Sequence, residues 1–401
     1  MEATEELEIV IAGGGICGLA TALALHRKGI RSVILERSDS LRATGAGIAI
    51  LTNGWRALDE LGVASRLRLT SLPVQRVWDI DLDRGKQQQA PVSIGEARCV
   101  KRRELIKALS EDLPFGTIRF GCEILSVKLD RFTSFPTLQL SNGSSIRAKV
   151  LIGCDGANSV VADFLELKQK KSFSSCSVRG FTNYPNGHGF AHEFVRIRRG
   201  NILSGRVPVD DKLVFWFIVP RFYPTDSKVS EDPELIRQFS VEAIKEFPSE
   251  RIEMVSNCDL ASLSLTHLRY RAPWDILLGS FRRGCVTVAG DAMHVMGPFL
   301  GQGGSAAIED AIVLARCLTQ KMQKVAQEEN GRQIMVQEIG EALDKYVEER
   351  RMRLVWLSTQ TYVIGSMFDA SSMLGKLLLL AILAVLFSNS THHTRYDCGR
   401  L

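Results

Sequence analysis

The sequence predicts an α/β fold with a Rossmann-type nucleotide-binding domain, a smaller α+β domain built on an antiparallel sheet, and C-terminal helices. Three observations lead to this class. Glycine-rich motifs occur near residues 13, 155 and 290. The first motif lies inside a strand–helix–strand pattern. Short alternating apolar runs fill much of residues 176–275, which is typical of antiparallel strands.

The composition is that of an ordinary globular enzyme, since 45% of the 401 residues are hydrophobic and 24% are charged. The net charge of +5 is small, and no basic block with interleaved aromatic residues occurs, so nucleic-acid binding is not expected. The nine cysteines form no CxxC pair, and the first residues do not resemble a secretory or transit peptide. We therefore expect a reducing, cytoplasmic location.

The longest apolar run covers residues 377–387, LLLLAILAVLF. A helix that crosses a bilayer needs ~20 apolar residues, so no transmembrane helix is predicted. The run predicts a C-terminal helix packed on the body of the protein. Peripheral membrane contact stays open as the alternative, because the run is apolar on all sides.

The first strand–helix–strand unit begins with residues 7–12, LEIVIA, which predict a short buried parallel strand. Residues 19–28 predict a helix that Gly29 ends, and residues 30–35 predict the second strand. Glu36 follows this second strand directly. The glycine motif is therefore placed where a dinucleotide-binding turn belongs.

Each glycine of this turn has a physical task. Gly13 makes the tight turn, Gly15 lets the main chain approach a pyrophosphate, and Gly18 lets the helix pack closely on the strand. The N–H groups at the helix start, from Ile16 onward, favour phosphate. Glu36 is at the spacing expected for a carboxylate that binds the adenosine ribose. The unit therefore predicts dinucleotide binding.

The late motifs favour FAD over NAD as the bound dinucleotide. Residues 286–289 predict a short strand, and Asp291 at its end can accept a hydrogen bond from a ribityl hydroxyl. Pro298 and the GQGG segment 301–304 lead into a helix predicted over 305–318. Main-chain N–H groups at this helix start would support negative charge on the flavin ring.

With these motifs in place, the chain resembles the single-component FAD-dependent aromatic hydroxylase family, which includes salicylate hydroxylase and para-hydroxybenzoate hydroxylase. It looks closest to the plant branch of zeaxanthin epoxidase-like monooxygenases, and residues 396–401 look like the tail of plant members. The resemblance covers nearly the whole chain. Its motifs are GGGICG with Glu36, residues 45–48 (GAGI), residues 102–105 (RREL), Asp155-Gly156 and Gly290-Asp291.

The resemblance implies a role for each matching position. Glu36 would bind the adenosine ribose, Arg102 would lie near the ribityl chain and pyrophosphate, and Asp291 would bind the ribityl chain. Asp155 and Gly156 would serve both FAD and NAD(P)H. The expected cofactor contacts are Gly13, Gly15, Ile16, Gly18, Glu36, Arg37, Gly47, Arg102, Asp155, Gly156, Asp291, Pro298, Gly301, Gly303 and Gly304. Arg42 is a further candidate for the pyridine nucleotide or the pyrophosphate, with a solvated loop charge as the alternative.

The chain departs from the family pattern at two positions. The middle motif usually ends in arginine, and Ala162 stands there, which puts efficient NAD(P)H use in doubt. Ser305 stands where asparagine is common after the GQG segment, and serine can still cap the following helix. Neither departure removes the expectation of FAD.

The predicted FAD-binding domain covers residues 1–71, 101–175 and 276–345. The substrate domain covers 72–100 and 176–275, and residues 346–401 form a C-terminal helical segment. Within the substrate domain, strands are predicted over 190–197, 202–207 and 213–219 and a helix over 231–247.

Other candidate residues have structural interpretations. Phe215 and Phe217 occupy positions where flavin-dependent halogenases carry tryptophans, and a hydrophobic strand is the preferred interpretation. His294 is expected to be structural. His188 and His192 are spaced i, i+4 without partner ligands, so no metal site is predicted.

The resemblance implies an FAD-dependent, NAD(P)H-consuming monooxygenase. Through a C4a-hydroperoxyflavin it would insert one atom of O2 into a small phenolic, aromatic or terpenoid-like substrate of plant specialised metabolism. No protein nucleophile or acid is required, so no catalytic residue is assigned. The alternatives are a reductase or oxidative cyclase without oxygen transfer, and a flavin-binding regulatory protein. The substrate, the choice between hydroxylation and epoxidation, the choice between NADPH and NADH, and the choice between monomer and homodimer stay open.

Overall fold

A computed structural model describes residues 4–41, 47–90, 95–220, 224, 227–327, 332–369, 372–386 and 392–401. The strands in these ranges are β1 (Glu5–Ala12), β2 (Val33–Leu35), β3 (Gly47–Ile50), β4 (Arg76–Asp81), β5 (Lys86–Ala90), β6 (Arg98–Lys101), β7 (Ile118–Arg119), β8 (Ile124–Leu129), β9 (Pro136–Leu140), β10 (Ser145–Gly153), β11 (Lys171–Asn183), β12 (Glu193–Arg199), β13 (Ile202–Pro208), β14 (Leu213–Val219), β15 (Ser264–Tyr270), β16 (Arg282–Arg283) and β17 (Val286–Val288).

The α-helices in these ranges are α1 (Ile16–Arg27), α2 (Thr52–Glu60), α3 (Ala64–Arg68), α4 (Arg102–Ser110), α5 (Val160–Phe164), α6 (Pro233–Ala243), α7 (Ser249–Ser256), α8 (Pro273–Leu278), α9 (Asp291–His294), α10 (Gly303–Gln327), α11 (Arg332–Asp369) and α12 (Met373–Leu386). The architecture is the predicted α/β class, with two large sheets and C-terminal helices.

The first sheet has the order β16-β17-β10-β1-β2-β7, with β9 beside β10 and β8 beside β9. Strands β17, β10, β1, β2 and β7 are parallel. Ala12 is in register with Gly153 and with Leu35, and Gly153 is in register with Val288. The carboxyl ends of four strands therefore meet at one edge, which is where open α/β sheets bind their ligands.

Helix α1 begins three residues before its predicted start, directly after the glycine turn, and its residues Cys17–Leu25 are all buried. It packs between the parallel sheet and α10, so it needs apolar side chains on every face. Strand β2 is shorter than predicted, since only Val33–Leu35 pair with β1. The strand–helix–strand unit itself is confirmed.

The second sheet has the order β15-β11-β14-β13-β12-β4-β5. The segment 72–100 contributes β4 and β5, as predicted. All neighbouring pairs are antiparallel except β12 and β4, which are parallel. The expectation of a purely antiparallel sheet is therefore wrong at this pair. Strand β4 comes from a distant part of the chain, so no hairpin fixes its direction.

The two faces of the second sheet have different partners. On the back face, Val178, Trp216 and Ile218 form an apolar cluster with residues of α6 and α7. The helix predicted over 231–247 is present as α6, but it is shorter at both ends, and the separate helix α7 begins after its N-cap residue Pro248. On the front face, Phe215 lies against Gly47 of β3. The front face is thus turned toward the nucleotide-binding part.

The C-terminal apolar run forms α12, which contacts α11. The expectation that the run packs on the body is wrong for most of its described side chains. Residues 374, 377, 378, 380, 385 and 386 are between 47% and 81% exposed. Within the described ranges, no helix combines the length and the hydropathy that crossing a bilayer requires. Helix α11 continues through the predicted boundary at residue 346, and the domain boundaries stay predictions.

Candidate cofactor site

The structure brings the three glycine motifs to one place at the edge of the parallel sheet. A methyl group on Gly13 would lie 2.8 Å from the Cα of Asp155, and one on Gly290 would lie 2.9 Å from the Cβ of Cys17. A methyl group on Gly18 would lie 2.0 Å from the carbonyl oxygen of Gly13. The first motif therefore packs directly on the second, and the third packs on the first helix.

Other glycines of the same motifs border open space. A methyl group on Gly15, Gly156 or Gly303 would meet nothing within 4 Å. Gly15 is the N-cap of α1, and no side chain caps this helix end. An exposed helix start beside open space suits a pyrophosphate, because the N–H groups there attract negative charge. These features fit the expected dinucleotide.

Glu36 is a buried carboxylate at the end of β2, with 5% of its surface exposed. Its Oε2 accepts a hydrogen bond from the backbone N–H of Gly14 at 2.7 Å, and its Oε1 accepts one from Ser38 at 2.9 Å. The carboxylate thus holds the glycine turn in place. Each oxygen can still accept from a ribose hydroxyl. The neighbouring Arg37 is exposed.

Asp155 carries an oxygen that no donor among the described residues meets. Its Oδ2 accepts from the backbone N–H of Val160 at 2.8 Å. Its Oδ1 is buried and has no hydrogen-bond partner in the part of the chain that the structure describes. Burial raises the pKa of Asp155. A buried acceptor without a partner is rare in proteins, so this oxygen indicates a ligand that donates a hydrogen bond.

Behind the third motif lies a fully buried group of charges on α9, α10 and α11. Oδ2 of Asp310 accepts from the backbone N–H of Gly290 at 2.9 Å and lies 2.6 Å from Nε2 of His294. Oδ1 of Asp310 accepts from Nε of Arg350 at 2.7 Å. Burial opposes ionisation of Asp310, but His294 and Arg350 outweigh it and lower its pKa to about 2. These contacts fit the structural role expected for His294.

Glu309, next to Asp310, extends this group to the GQGG segment. Its Oε2 accepts from Nη2 of Arg350 at 2.7 Å. Its Oε1 accepts from Nδ2 of Asn53 at 2.6 Å, and the same amide donates to Oε1 of Gln302 at 2.8 Å. One buried network therefore supports both Gly290 and Gln302.

Residues 395–401 lie against this network from outside. The guanidinium carbons of Arg350 and Arg353 lie 5.2 Å and 4.6 Å from the centre of the Tyr396 ring. Nη1 of Arg316 donates to the carbonyl oxygen of Cys398 at 2.7 Å. The ring of Tyr396 thus covers one side of Arg350 and Arg353. The other side of these cations pairs with Glu309 and Asp310.

A polar cavity of about 230 Å³ lies beside the departure at position 162. Ala162 is buried on α5 and lines this cavity together with Arg271 and Lys168. The guanidinium of Arg271 donates to the carbonyl oxygens of Lys168 and Ala292, and burial lowers its pKa. Arg271 therefore joins the segment that follows α5 to α9, and it lines the same cavity as Ala162.

The remaining predicted contacts are placed as follows. Gly47 begins β3 under Phe215, and Arg102 is the half-buried first residue of α4. Asp291 and Pro298 are exposed at the ends of their short helices. Gly301 has a left-handed backbone with φ of 62°, and a methyl group on Gly304 would contact Ile48 at 3.4 Å. Arg42, Gly45 and Ala46 lie outside the described residues. The assignment of these residues to atoms of FAD stays a prediction.

Sequence reasoning missed the buried network of charges. The adjacent acids Glu309 and Asp310 inside the apolar segment 305–318 were a usable signal, because buried carboxylates need partners. Arg350 lies in a charged stretch that reads like a solvated helix face, so the sequence carries no signal for it. No group of three or more candidate metal ligands occurs among the described residues.

Comparisons with known proteins agree with this geometry. A family model described as "FAD binding domain" matches residues 6–355. Monooxygenase 1 of Arabidopsis thaliana is 54% identical over 99% of this chain and 100% of its own length. Monooxygenase 2 of the same plant is 34% identical over the full length of both chains.

Solved structures share the fold at low identity. HpxO of Klebsiella pneumoniae, complexed with FAD and uric acid, has a TM-score of 0.79 at 20% identity and covers 97% of this chain and 96% of its own. The oxygenase of 2-methyl-3-hydroxypyridine-5-carboxylic acid has a TM-score of 0.73 at 21% identity, with 98% and 97% covered. The fold and the site thus define a flavin-binding oxygenase. The chain belongs to the FAD binding domain family, and it is an FAD-dependent monooxygenase.

Proposed function

We propose that this monooxygenase consumes NAD(P)H and transfers one oxygen atom of O2 to a small organic substrate held between the two sheets. The observation that carries the proposal is the front face of the second sheet, which stands over the glycine motifs with an aromatic surface. Phe217 on this face belongs both to the cluster with Phe215 and to the cluster with Phe299 of the third motif.

In this proposal, FAD is held by the residues expected from the sequence. Gly13, Gly15 and the start of α1 take the pyrophosphate, and Glu36 accepts from the adenosine ribose. Oδ1 of Asp155 and the carboxylate of Asp291 accept hydrogen bonds from the cofactor. The N–H groups from Gly303 onward support the ring.

When bound and reduced, FAD would supply the oxygen chemistry. The side chains of this protein bind and orient the substrate and exclude water. Phe215, Phe217 and Phe299 are suited to that task, because they are apolar and packed at the two ends of the front face.

NAD(P)H would approach without a domain of its own, since the described residues contain one strand–helix–strand unit of the dinucleotide type. Gly156 borders open space, and Asp155 and Gly156 are the proposed meeting point of the two nucleotides. Ala162 leaves this region without the usual arginine, while Arg271 supplies a guanidinium beside the same helix. This geometry supports pyridine-nucleotide use despite the departure.

Two measurements test the proposal. Anaerobic mixing of the FAD-loaded protein with NADPH or NADH, recorded by flavin absorbance, should show reduction. Turnover under ¹⁸O2 should then place one labelled atom in the product. Reduction with an unlabelled product would favour the reductase or oxidative cyclase alternative. A flavin that neither nucleotide reduces, with or without an aromatic ligand, would contradict the proposed use of NAD(P)H.

A further inference from the structure

Two buried arginines meet on the back face of the second sheet, which is turned away from the glycine motifs. Arg206 of β13 is directly opposed to Val195 of β12 and to Trp216 of β14, so these three side chains share one face. The guanidinium of Arg251 on α7 donates through Nη2 to the carbonyl oxygen of Val195 at 3.1 Å. A strand and a helix thus bring two guanidiniums to the same place.

The hydrogen bonding of both guanidiniums is incomplete. Arg206 has 9% of its surface exposed and Arg251 has 1%. Nη1 of Arg206 and both Nε and Nη1 of Arg251 are buried, and none of these nitrogens has a hydrogen-bond partner among the described residues. Buried donors without partners are rare in folded proteins. The unused donors therefore indicate an acceptor that is not part of the chain.

The charge at this place is positive. Among the described residues, Glu250 is the one carboxylate that pairs with either guanidinium, and its Oε1 lies 3.3 Å from Nε of Arg206. The side chain of Glu250 is half exposed. Burial, together with the neighbouring cation of Arg206, lowers the pKa of Arg251 to about 9. Two buried cations with one half-exposed partner are costly, and a bound anion would offset that cost.

The segment 184–191, between β11 and β12, covers the two arginines with aromatic rings. The centre of the Phe190 ring lies 4.0 Å from the guanidinium carbon of Arg206. His188 stacks on Phe190, and Tyr184 meets both rings in T-shaped contacts. A ring on the face of a guanidinium leaves the N–H groups in its plane available to an oxyanion. Residues 185–187, 189 and 191 are exposed, so this segment separates the arginines from solvent.

We propose that Arg206 and Arg251 bind a phosphoryl group, supplied by inorganic phosphate or by a phosphorylated metabolite. The three oxygens of a phosphoryl group can accept from both guanidiniums at once, whereas a carboxylate offers two. The ligand enters when the segment 184–191 moves aside, and it replaces Glu250 as the partner of Arg206. The site lies on the opposite face of the sheet from the proposed substrate position, so the proposal is independent of the proposed function.

The test uses the FAD-loaded protein, in which the cofactor already fills the position proposed for its own pyrophosphate. Isothermal titration calorimetry at constant ionic strength gives the Kd of inorganic phosphate and of glycerol 3-phosphate. R206Q should weaken the binding of both probes about tenfold or more. E250Q should strengthen it, because the competing carboxylate is removed. R198Q is the matched control and should bind like the native protein, since Arg198 lies in the same sheet and pairs with Asp81.

The order of the two affinities identifies the source of the phosphoryl group. Tighter binding of glycerol 3-phosphate would support a phosphorylated metabolite, and tighter binding of inorganic phosphate would support the free ion. The absence of saturable binding of both probes to the native protein would overturn the proposal. Equal Kd values in the native protein, R206Q and E250Q would place the phosphoryl group elsewhere and would overturn it as well. The titration involves neither flavin reduction nor oxygen transfer, so its failure would leave the proposed function unaffected.

Discussion

The backbone N–H of Gly290 donates to Oδ2 of Asp310 over 2.9 Å, and both residues are buried. The carboxylate of Asp310 on α10 thereby fixes Gly290, the residue directly before Asp291. The same carboxylate pairs with Arg350 and contacts His294. The cofactor site is thus supported by charges that would not touch the cofactor.

Replacing Asp310 by Asn should destabilise the protein. Arg350 would lose one carboxylate of a fully buried pair, and such losses typically cost about 3–5 kcal/mol. We expect a lower midpoint of thermal unfolding and weaker FAD retention. D344N is the control, since Asp344 pairs with Arg282 at the surface and should change little. Equal losses in both variants would contradict the assigned role of Asp310.

The low pKa of Asp310 predicts how this contribution depends on pH. Its pKa is about 2 in the folded protein, against ~3.9 in an unfolded chain. The stabilisation of roughly 2–3 kcal/mol is therefore fully present above pH ~4 and is lost as the pH falls toward 2. The difference in unfolding free energy between native protein and D310N should shrink over this window. Denaturant titrations between pH 6 and 2 measure it, and a constant difference would refute the prediction.

Two glycines of the first motif should respond differently to alanine. In G18A the new methyl group collides with the carbonyl oxygen of Gly13, so the cofactor-free protein should lose about 1–3 kcal/mol of stability. In G15A the methyl group points into open space, so stability should change little. FAD affinity should nevertheless fall about tenfold or more, because the methyl group would occupy the place proposed for the pyrophosphate. Fluorescence titration with FAD and thermal unfolding without it separate the two effects.

Because Ala162 and Arg271 line the same cavity, we expect the stability effects of substitutions at these two positions to be coupled. In A162R a second guanidinium would lie near the buried Arg271, and the like charges should lower stability by about 1–3 kcal/mol. R271Q alone should also destabilise, since two carbonyl oxygens lose a donor. The double variant should be less damaged than the sum of the two. Additive losses in a double-mutant cycle would show that the two positions do not interact.

The ring of Tyr396 should matter more than its hydroxyl. Y396A removes the aromatic face over Arg350 and Arg353 and should cost about 1–2 kcal/mol with weaker FAD retention. Y396F keeps the face and should lose less than half of that amount. Thermal unfolding and the fraction of bound FAD after gel filtration provide the comparison, and equal behaviour of the two variants would contradict it.

Much of the fold could be predicted because its signals are local. The turn around Gly13, the buried strand before it and the acid at Glu36 are adjacent in sequence, and the structure places them as one unit. The parallel pairing of β4 with β12 depends on long-range packing, which short windows do not contain. The exposed face of α12 was missed for a related reason, since apolarity alone does not show what covers a helix.

The candidate site was predictable where backbone conformation requires a residue type, as at Gly13 and Gly18. The site was not predictable where a charged residue pairs with another charged residue that is distant in sequence. Arg350 meets Asp310 only after α10 and α11 have packed together. Arg350 has no distinguishing neighbour in sequence.

The central position of β10, between β1 and β17, has a consequence for the order of events during synthesis. A growing chain that has emerged past Asp155 can already pair β10 with β1 and bring two glycine motifs together. The third motif follows β17, and its support on α11 comes later still. A nascent chain therefore exposes an incomplete nucleotide pocket for the time that the ribosome needs to reach α11. Flavin supply in the cell should then influence how much of this enzyme matures, rather than only how fast it turns over.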